Sequence, residues 1–234
     1  MKKVLLALSA FLMLAAMGCQ EKKGDGIIRF PVPERVAGQR DMLGFAADPI
    51  PVVRVGFIGI GMRGVGAVQR FCYIDGVEIK AVCDMEQYNI DRAQNGRKKF
   101  ERPAAEEYIG DENSWKALCE RDDIDLIYIC TDWLTHTPMA VYAMEQGKHV
   151  AVEVPAATSV EECWKLANTS ERTRRHCMML ENCCYAFFEM ATLNMAQQGV
   201  FGAVMQVEGA YNHDMGRLNV HDRMSQNSAY IPRG

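Results

Sequence analysis

Apolar and polar residues alternate along the middle of the chain in a pattern that predicts strands and helices in turn. Short runs rich in Val and Ile are typical of strands buried on both faces, and segments with apolar residues at helical spacing separate them. The predicted strands are 52–59, 78–84, 108–110, 125–130, 149–152 and 177–180, and the predicted helices are 64–73, 89–100, 115–119, 138–146 and 161–172. Strands that alternate with single helices indicate βαβ units, so the pattern predicts an α/β fold with a doubly wound parallel sheet of the Rossmann type.

The pattern changes after residue 181. A helical pattern over 187–198 ends at Gly199, and alternation over 204–211 predicts a strand of a second, mixed domain. One helix and one strand cannot bury a sheet face by themselves. We therefore expect a Rossmann domain at 51–181, followed at 182–234 by the start of an incomplete α+β substrate domain.

The N-terminal residues predict export. Lys2 and Lys3 precede an apolar run over 4–16 and then Gly18-Cys19, as in a secretory signal covering residues 1–19. The same residues resemble a bacterial lipoprotein signal in which Cys19 is acylated. The alternative is ordinary cleavage, with Cys19 removed or left free. We expect an exported protein, periplasmic or held at the outer membrane by a lipid anchor, with 20–50 as a linker or an arm lying over the domain.

Charge and cysteine usage narrow the expected partners. A net charge of -4 gives no electrostatic reason to expect nucleic acid, and membrane contact is expected only through the lipid anchor. Cys72, Cys83, Cys130 and Cys177 lie in apolar runs, so we expect them to pack in the core and form no disulfides. No cysteine pair has zinc-finger spacing, and no metal site is predicted. The sequence leaves a homo-oligomer open.

A glycine motif predicts the binding of a dinucleotide. Gly59-Ile60-Gly61-Met62-Arg63-Gly64 follows a predicted strand and opens a predicted helix. Gly59 allows a tight turn, Gly61 lets the backbone approach a pyrophosphate, and Gly64 lets helix and strand pack closely. The phosphates would then meet the helix N-terminus, where Arg63 can add a charged donor.

Asp84 predicts which dinucleotide binds. It ends the next predicted strand, at the spacing from Gly64 that is typical of the carboxylate binding the adenosine ribose hydroxyls. Since a carboxylate there repels a 2′-phosphate, NAD is favoured over NADP. The alternative is an Asp that caps a helix on a sheet without a nucleotide.

From residue 52 to about residue 211 the chain resembles the Gfo/Idh/MocA oxidoreductase superfamily. The resemblance is carried by the glycine motif, by Thr131-Asp132-Trp133-Leu134-Thr135-His136-Thr137-Pro138, and by Gly147-Lys148-His149-Val150 leading to Glu153. In that superfamily the last motif usually ends Glu-Lys-Pro, with a catalytic Lys. This chain has Glu153-Val154-Pro155-Ala156-Ala157 instead, which argues against alcohol oxidation with a Lys acid/base.

Three motifs are similar to those of glycoside hydrolase family 109, whose NAD-dependent enzymes are typified by α-N-acetylgalactosaminidase. They are Glu153-Val154-Pro155-Ala156-Ala157, Glu181-Asn182-Cys183-Cys184-Tyr185 and Gly209-Ala210-Tyr211-Asn212-His213-Asp214. The resemblance implies that the sugar is oxidised at C3 and loses the C2 proton and the aglycone. Water then adds and the sugar is reduced, so that NAD is recycled within a hydrolysis.

The resemblance also implies roles for individual residues. Beside Gly59, Gly61 and Gly64, the expected NAD contacts are Met62, Arg63, Asp84, Trp133, Leu134, Thr135, His136, Glu153, Val154 and Asn182. Tyr211 would contact the sugar, His213 before Asp214 suggests an oriented imidazole, and Tyr185 is the candidate acid/base. As alternatives, His136 packs under Trp133, Tyr185 and Tyr211 are packing aromatics, and His213 is structural.

The leading hypothesis is therefore an exported NAD-dependent glycosidase that acts on a small carbohydrate with an α-linked N-acetylhexosamine. One alternative is a sugar or polyol dehydrogenase of the wider superfamily. The other is an inactive NAD-binding fragment, because members of family 109 are longer than this chain and carry further substrate residues.

Overall fold

The computed structural model describes residues 30–111 and 113–210 and confirms the predicted alternation of strands and helices. The strands are β1 Val53–Ile58, β2 Val77–Asp84, β3 Glu106–Ile109, β4 Leu126–Ile129, β5 His149–Glu153 and β6 Cys177–Leu180. The helices are α1 Met62–Phe71, α2 Gln87–Lys98, α3 Ser114–Cys119, α4 Trp133–Glu145, α5 Val160–Thr173 and α6 Phe187–Gln197. None of these helices is long and apolar enough to cross a membrane.

The six strands form one parallel sheet in the order β3-β2-β1-β4-β5-β6. The chain builds outward from β1 in one direction and then from β4 in the other, so the strand order reverses between these two neighbours. Ile58 at the end of β1 pairs with Ile129 at the end of β4. A crevice opens beyond the carboxyl ends of the strands at such a reversal, and it is where doubly wound sheets bind ligands. The predicted fold class is thereby confirmed.

Both faces of the sheet are covered by helices, because successive strand residues point to opposite faces. Phe57 and Tyr128 pack with Val68 of α1 and Ile90 of α2 in one buried cluster. The other cluster joins the remaining strand residues to α3, α4 and α5, through Ile58, Ile127, Leu118, Met144 and Leu166.

The cysteines of the sheet behave as small apolar residues. Cys72, Cys83 and Cys130 are buried as predicted, whereas Cys177 is only half-buried. All eight cysteines in the described residues are free thiols. Burial raises the pKa of Cys83 to about 12, so this thiol stays protonated and unreactive.

Helix α4 begins earlier than predicted, at Trp133 and not at residue 138. The Asp132 carboxylate accepts a hydrogen bond from the Leu134 N–H at 2.9 Å and caps the helix. Proline is preferred in the first turn of a helix, but Pro138 lies inside this one. The residues from Trp133 to His136 therefore form the first turn of a helix that begins at the ligand edge of the sheet.

The predicted strand over 204–211 is wrong within the described residues, because 203–210 contain no strand. A strand needs a partner for its backbone N–H and C=O groups, and none of β1–β6 pairs with this segment. Helix α6, which precedes it, has no buried residue. The start of a substrate domain at 182–234 stays a prediction, and Cys19, Tyr211 and His213 lie outside the described residues.

The segment from Pro33 to β1 has no helix or strand and packs along α5. Arg35 forms an ion pair with Glu171 at 2.7 Å, and the Gln39 amide donates to Asn168 at 3.0 Å. The Arg174 guanidinium lies over the Phe45 ring at 4.3 Å. These contacts fix an otherwise irregular segment on the α5 side of the domain.

An ion pair between neighbouring strands makes stability depend on pH. The Arg54 guanidinium donates to both carboxylate oxygens of Asp125, at 2.9 and 2.6 Å, and the Arg54 backbone N–H donates at 2.9 Å. The hydrogen bond from the Arg54 side chain holds the pKa of Asp125 below its usual value. A carboxyl with a lowered pKa stabilises the fold above its unfolded pKa, and this contribution is lost as pH falls through the folded value.

We predict that Asp125→Asn is less stable than the wild type at about pH 7, and that the difference shrinks below about pH 4. Urea unfolding of both proteins from about pH 7 to about pH 3 measures this difference. Exposed Asp75 supplies the control, since Asp75→Asn should leave the pH profile unchanged. A destabilisation by Asp125→Asn that is equally large at both pH limits would contradict the prediction.

Candidate cofactor site

The turn between β1 and α1 requires glycine at its first and last motif positions. Gly59 has φ +77°, and a Cβ there would lie 2.8 Å from the carbonyl carbon and oxygen of Cys130. A Cβ on Gly64 would lie 2.2 Å from the carbonyl oxygen of Gly59. Both distances are shorter than any non-bonded contact tolerates, so these two glycines set the close packing of α1 against the sheet.

The middle glycine of the motif faces open space. A Cβ on Gly61 would meet nothing nearer than the Asn89 side-chain nitrogen, at 4.0 Å. Gly61 is also the N-cap of α1, and no side chain caps this helix or places an acid in its first turn. The first N–H groups of a helix and the positive end of its dipole attract anions. The geometry therefore fits a pyrophosphate resting against Gly61.

The Asp84 carboxylate is held by three hydrogen bonds at the carboxyl end of β2. One oxygen accepts from the Ile60 N–H at 2.7 Å. The other accepts from the Glu86 N–H at 2.9 Å and from the Asn89 amide at 3.1 Å. Asp84 is not the cap of α2, whose N-cap residue is Glu86. A carboxylate has about four acceptor positions, so this one keeps capacity for ribose hydroxyls.

Arg63 links the first turn of α1 to the ends of two other strands. Its Nε donates to Glu153 at 3.1 Å, and its terminal nitrogen donates to the side-chain oxygen of Asn182. Burial works against the charge, but the attraction of Glu153 outweighs it and raises the pKa of Arg63. Glu153 also accepts from the Tyr128 hydroxyl at 3.1 Å, and burial raises the pKa of this phenol, which stays neutral. The crevice thus holds a permanent cation that forms an ion pair with a carboxylate.

Apolar side chains surround this edge of the sheet. Four of them are exposed, although they lie at the ends of elements that contribute to the core: Met62 at the start of α1, Trp133 and Leu134 at the start of α4, and Val154 just after β5. Exposed apolar side chains around a crevice with a few polar groups are typical of a ligand site. Their predicted contacts with NAD remain predictions.

Thr135 and His136 are placed differently from their exposed neighbours. The Thr135 hydroxyl bonds to the Thr131 hydroxyl at 2.8 Å and lies partly buried. The His136 side chain is buried, with Nδ1 2.7 Å from the carbonyl oxygen of Pro155 and Nε2 3.1 Å from that of Thr131. The imidazole therefore lies inside the fold below the ligand edge, and its contact with NAD also stays a prediction.

Tyr185 follows β6 in a turn closed by the Ala186 N–H, which donates to the carbonyl oxygen of Cys183 at 2.8 Å. Its side chain is 75% exposed, so the ring is not packed against other side chains of the described residues. Asn182 precedes it at the same edge. The structure thus leaves the phenol accessible to a ligand, and its acid/base role remains a prediction.

Sequence reasoning missed Asn89 and Tyr128, which hold the two carboxylates of the site. Tyr128 was visible as the one side chain with a polar end within the aliphatic strand β4. Asn89 is buried in the first turn of α2, where a polar residue needs a partner. Neither feature of the sequence identifies the hydrogen-bond partner, which is Glu153 for Tyr128 and Asp84 for Asn89. These partners are known only from the folded structure.

Comparison with known families shows which kind of protein has this arrangement at the carboxyl ends of the strands. The model of the Gfo/Idh/MocA family, described as an oxidoreductase family with an NAD-binding Rossmann fold, matches residues 53–181. The chain belongs to this family. The predicted superfamily and its cofactor NAD are confirmed by this membership.

Curated relatives include glycoside hydrolases of family 109, as the motifs indicated. The α-N-acetylgalactosaminidase of Bacteroides fragilis is 59% identical over 181 residues, which are 77% of this chain and 42% of that protein. Glycosyl hydrolase family 109 protein 1 of Bacteroides thetaiotaomicron is 52% identical over 221 residues, which are 92% of this chain and 47% of that protein. The chain thus spans less than half the length of these relatives.

Solved structures of the same fold are more distant in sequence. A scyllo-inositol dehydrogenase from Lactobacillus casei superposes with a TM-score of 0.57 at 18% identity, covering 64% of this chain and 42% of that one. A myo-inositol 2-dehydrogenase from Lactobacillus plantarum gives 0.56 at 22% identity, covering 65% and 43%. At these identities the likeness supports the fold alone.

Two glycine substitutions separate cofactor binding from folding. We predict that Gly61→Ala weakens NAD binding about 10-fold or more with little change in melting temperature, because its methyl group points where the phosphates rest. Gly64→Ala should instead destabilise the fold by more than about 2 kcal/mol, because its methyl group meets the Gly59 carbonyl. Calorimetric titration with NAD and thermal unfolding of both variants test this. Unchanged NAD affinity in Gly61→Ala would place the phosphates elsewhere.

Proposed function

We propose that this protein acts as an NAD-dependent glycosidase on substrates with an α-linked N-acetylhexosamine, of the α-N-acetylgalactosaminidase kind. The observation that carries the proposal is the end of β5, where Glu153 is followed by Val154. This sequence departs from the Glu-Lys-Pro of the wider family. The 59% identity to an α-N-acetylgalactosaminidase over 181 residues supports the same assignment.

The chain offers no lysine in the position of a dehydrogenase acid/base. Val154 occupies that position and is exposed at the ligand edge. The nearest lysine of the motif, Lys148, precedes β5 and lies at the opposite, amino end of the strand. Lys148 is buried and donates to the carbonyl oxygen of Arg121, and burial lowers its pKa. Its role is structural, which supports a reaction other than simple alcohol oxidation with a Lys acid/base.

The residues of the crevice divide the binding of the cofactor between them. The N–H groups at the start of α1 and the Arg63 cation would bind phosphate oxygens, and the Asp84 carboxylate would accept hydrogen bonds from the adenosine ribose. When bound, NAD supplies reversible removal of a hydride from the sugar C3. Trp133 and Leu134 are exposed at this edge and would shield a bound cofactor from water.

Tyr185 is the proposed residue for proton transfer at the sugar C2. It follows β6, within the turn that spans Cys183 to Ala186, and is accessible at the same edge. Oxidation at C3 makes the C2 proton acidic, and its removal lets the aglycone leave with the electrons of the glycosidic bond. Water then adds at C1, a proton returns to C2, and the hydride returns to C3, so that the net reaction is hydrolysis.

Two readouts test the reaction together. We predict that the full chain with NAD releases p-nitrophenol from p-nitrophenyl α-N-acetylgalactosaminide without net NADH, and that the sugar formed in D2O carries deuterium at C2. Tyr185→Phe should reduce the rate about 100-fold or more with unchanged NAD affinity, as expected for loss of an acid/base. Tyr73→Phe, which alters another exposed tyrosine, is the matched control and should retain the wild-type rate.

Three outcomes would contradict the proposal. Net NADH with a free sugar, and no p-nitrophenol, would favour the sugar or polyol dehydrogenase. Hydrolysis without deuterium at C2 would indicate the ordinary mechanism with two carboxylates. Binding of NAD with neither reaction would leave the chain as a cofactor-binding protein without glycosidase activity.

A further inference from the structure

Asn89 lies between the two parts of the predicted dinucleotide site. Its side-chain nitrogen donates to Asp84 at 3.1 Å, and the same nitrogen is the atom nearest to an added Cβ on Gly61, at 4.0 Å. Only 5% of Asn89 is exposed, although it lies in the first turn of α2 beside Gln87 and Tyr88, which are exposed. This buried amide therefore donates to the acid and lies beside the glycine turn.

We propose that Asn89 is a positioning residue that orients the Asp84 carboxylate and so sets the preference for NAD over NADP. The inference rests on the assignment of the cofactor and not on the glycosidase reaction. It extends the site to a residue of α2 that the glycine motif does not include.

Three donors hold the Asp84 carboxylate. Two are backbone N–H groups, of Ile60 and Glu86, whose places are set by the course of the chain. The third donor is the Asn89 amide, which is the side-chain donor to this carboxylate within the described residues. The last torsion of an Asp side chain is broad and has no deep staggered wells. With the amide removed, each carboxylate oxygen keeps one backbone donor, and the carboxylate is held less firmly in its present orientation.

Rotation of the carboxylate affects the two dinucleotides in opposite ways. NAD gains from hydroxyl groups that donate to a carboxylate in a fixed place, so loss of orientation weakens its binding. A 2′-phosphate is repelled by the same charge, so loss of orientation relieves the repulsion of NADP. If the substitution instead disturbed the glycine turn, the binding of NAD and of NADP would weaken alike, because both dinucleotides carry the same pyrophosphate. The ratio of the two affinities therefore separates positioning from a merely structural role.

The test uses the full chain and four variants: Asn89→Leu, Asp84→Asn, the double variant, and Asn95→Leu as the control. Leu resembles Asn in shape but cannot donate, and Asn95 is an exposed residue of the same helix. Calorimetric titration with NAD and with NADP gives the affinities, and circular dichroism checks the fold. We expect Asn89→Leu to weaken NAD about 3- to 10-fold, as for one lost hydrogen bond. We expect the affinity for NADP to stay constant or rise, and Asn95→Leu to match the wild type.

The double variant tests whether Asn89 acts through Asp84. In the Asp84→Asn background, Asn89→Leu should change the affinity for NAD less than about 2-fold, because the group that it orients is already altered. Additive effects would overturn the proposal, as would equal weakening of NAD and NADP by Asn89→Leu. A wild type that binds NADP as tightly as NAD, or binds neither, would overturn it together with the cofactor assignment.

A second variant covers the case in which Asn89→Leu does not fold. Asn89→Asp keeps the size of the side chain but places a second carboxylate beside Asp84, where like charges repel. We expect it to retain the helical circular dichroism spectrum and to weaken NAD at least about 10-fold at neutral pH. Wild-type affinity for NAD in Asn89→Asp would overturn the proposal.

Discussion

The rest of the site depends on the close contact between the start of α1 and the end of β1. A Cβ on Gly64 would lie 2.2 Å from the Gly59 carbonyl oxygen, so only a residue without a side chain lets the helix approach the strand this closely. This approach directs the uncapped N-terminus of α1 into the crevice where the strand order reverses. If the helix were displaced, neither the Gly61 N–H groups nor Arg63 would face the ends of the neighbouring strands.

The charges of the crevice are balanced around that helix end. The carboxylate of Asp84 is stabilised by three N–H donors, and Glu153 is stabilised by Arg63 and the Tyr128 hydroxyl. Both acids are thereby held in place by hydrogen bonds, and the charge of Arg63 balances that of Glu153. The result is a crevice with the uncapped start of α1 at one end and the Asp84 carboxylate at the other.

The sheet and the glycine turn were predictable because both are local in the sequence. Strand patterns such as 177–180 matched the observed Cys177–Leu180, and the spacing from Gly64 to Asp84 located the end of β2. The start of α4 was mispredicted, because the preference of proline for a first turn concealed the Asp132 cap. The segment over 204–211 was mispredicted because alternation alone cannot supply a partner strand.

The contacts that complete the site were not predictable, because they depend on how side chains are oriented in the folded domain. The Tyr128 hydroxyl meets Glu153 across two strands. The Asn89 amide meets Asp84, five residues earlier, because the turn between β2 and α2 points the first turn of the helix back toward the end of the strand. Burial of His136 likewise follows from the carbonyl groups of Thr131 and Pro155, whose positions no pattern indicates. Sequence reasoning thus found the residues expected to meet the ligand but not those that hold them in place.

The most direct test of the account is a crystal structure of the protein with NAD. The account predicts the pyrophosphate within hydrogen-bond distance of the N–H groups at the start of α1, against Gly61, and the adenosine ribose hydroxyls on the Asp84 carboxylate. A dinucleotide bound away from the turn between β1 and α1, or a ribose that makes no contact with Asp84, would contradict it.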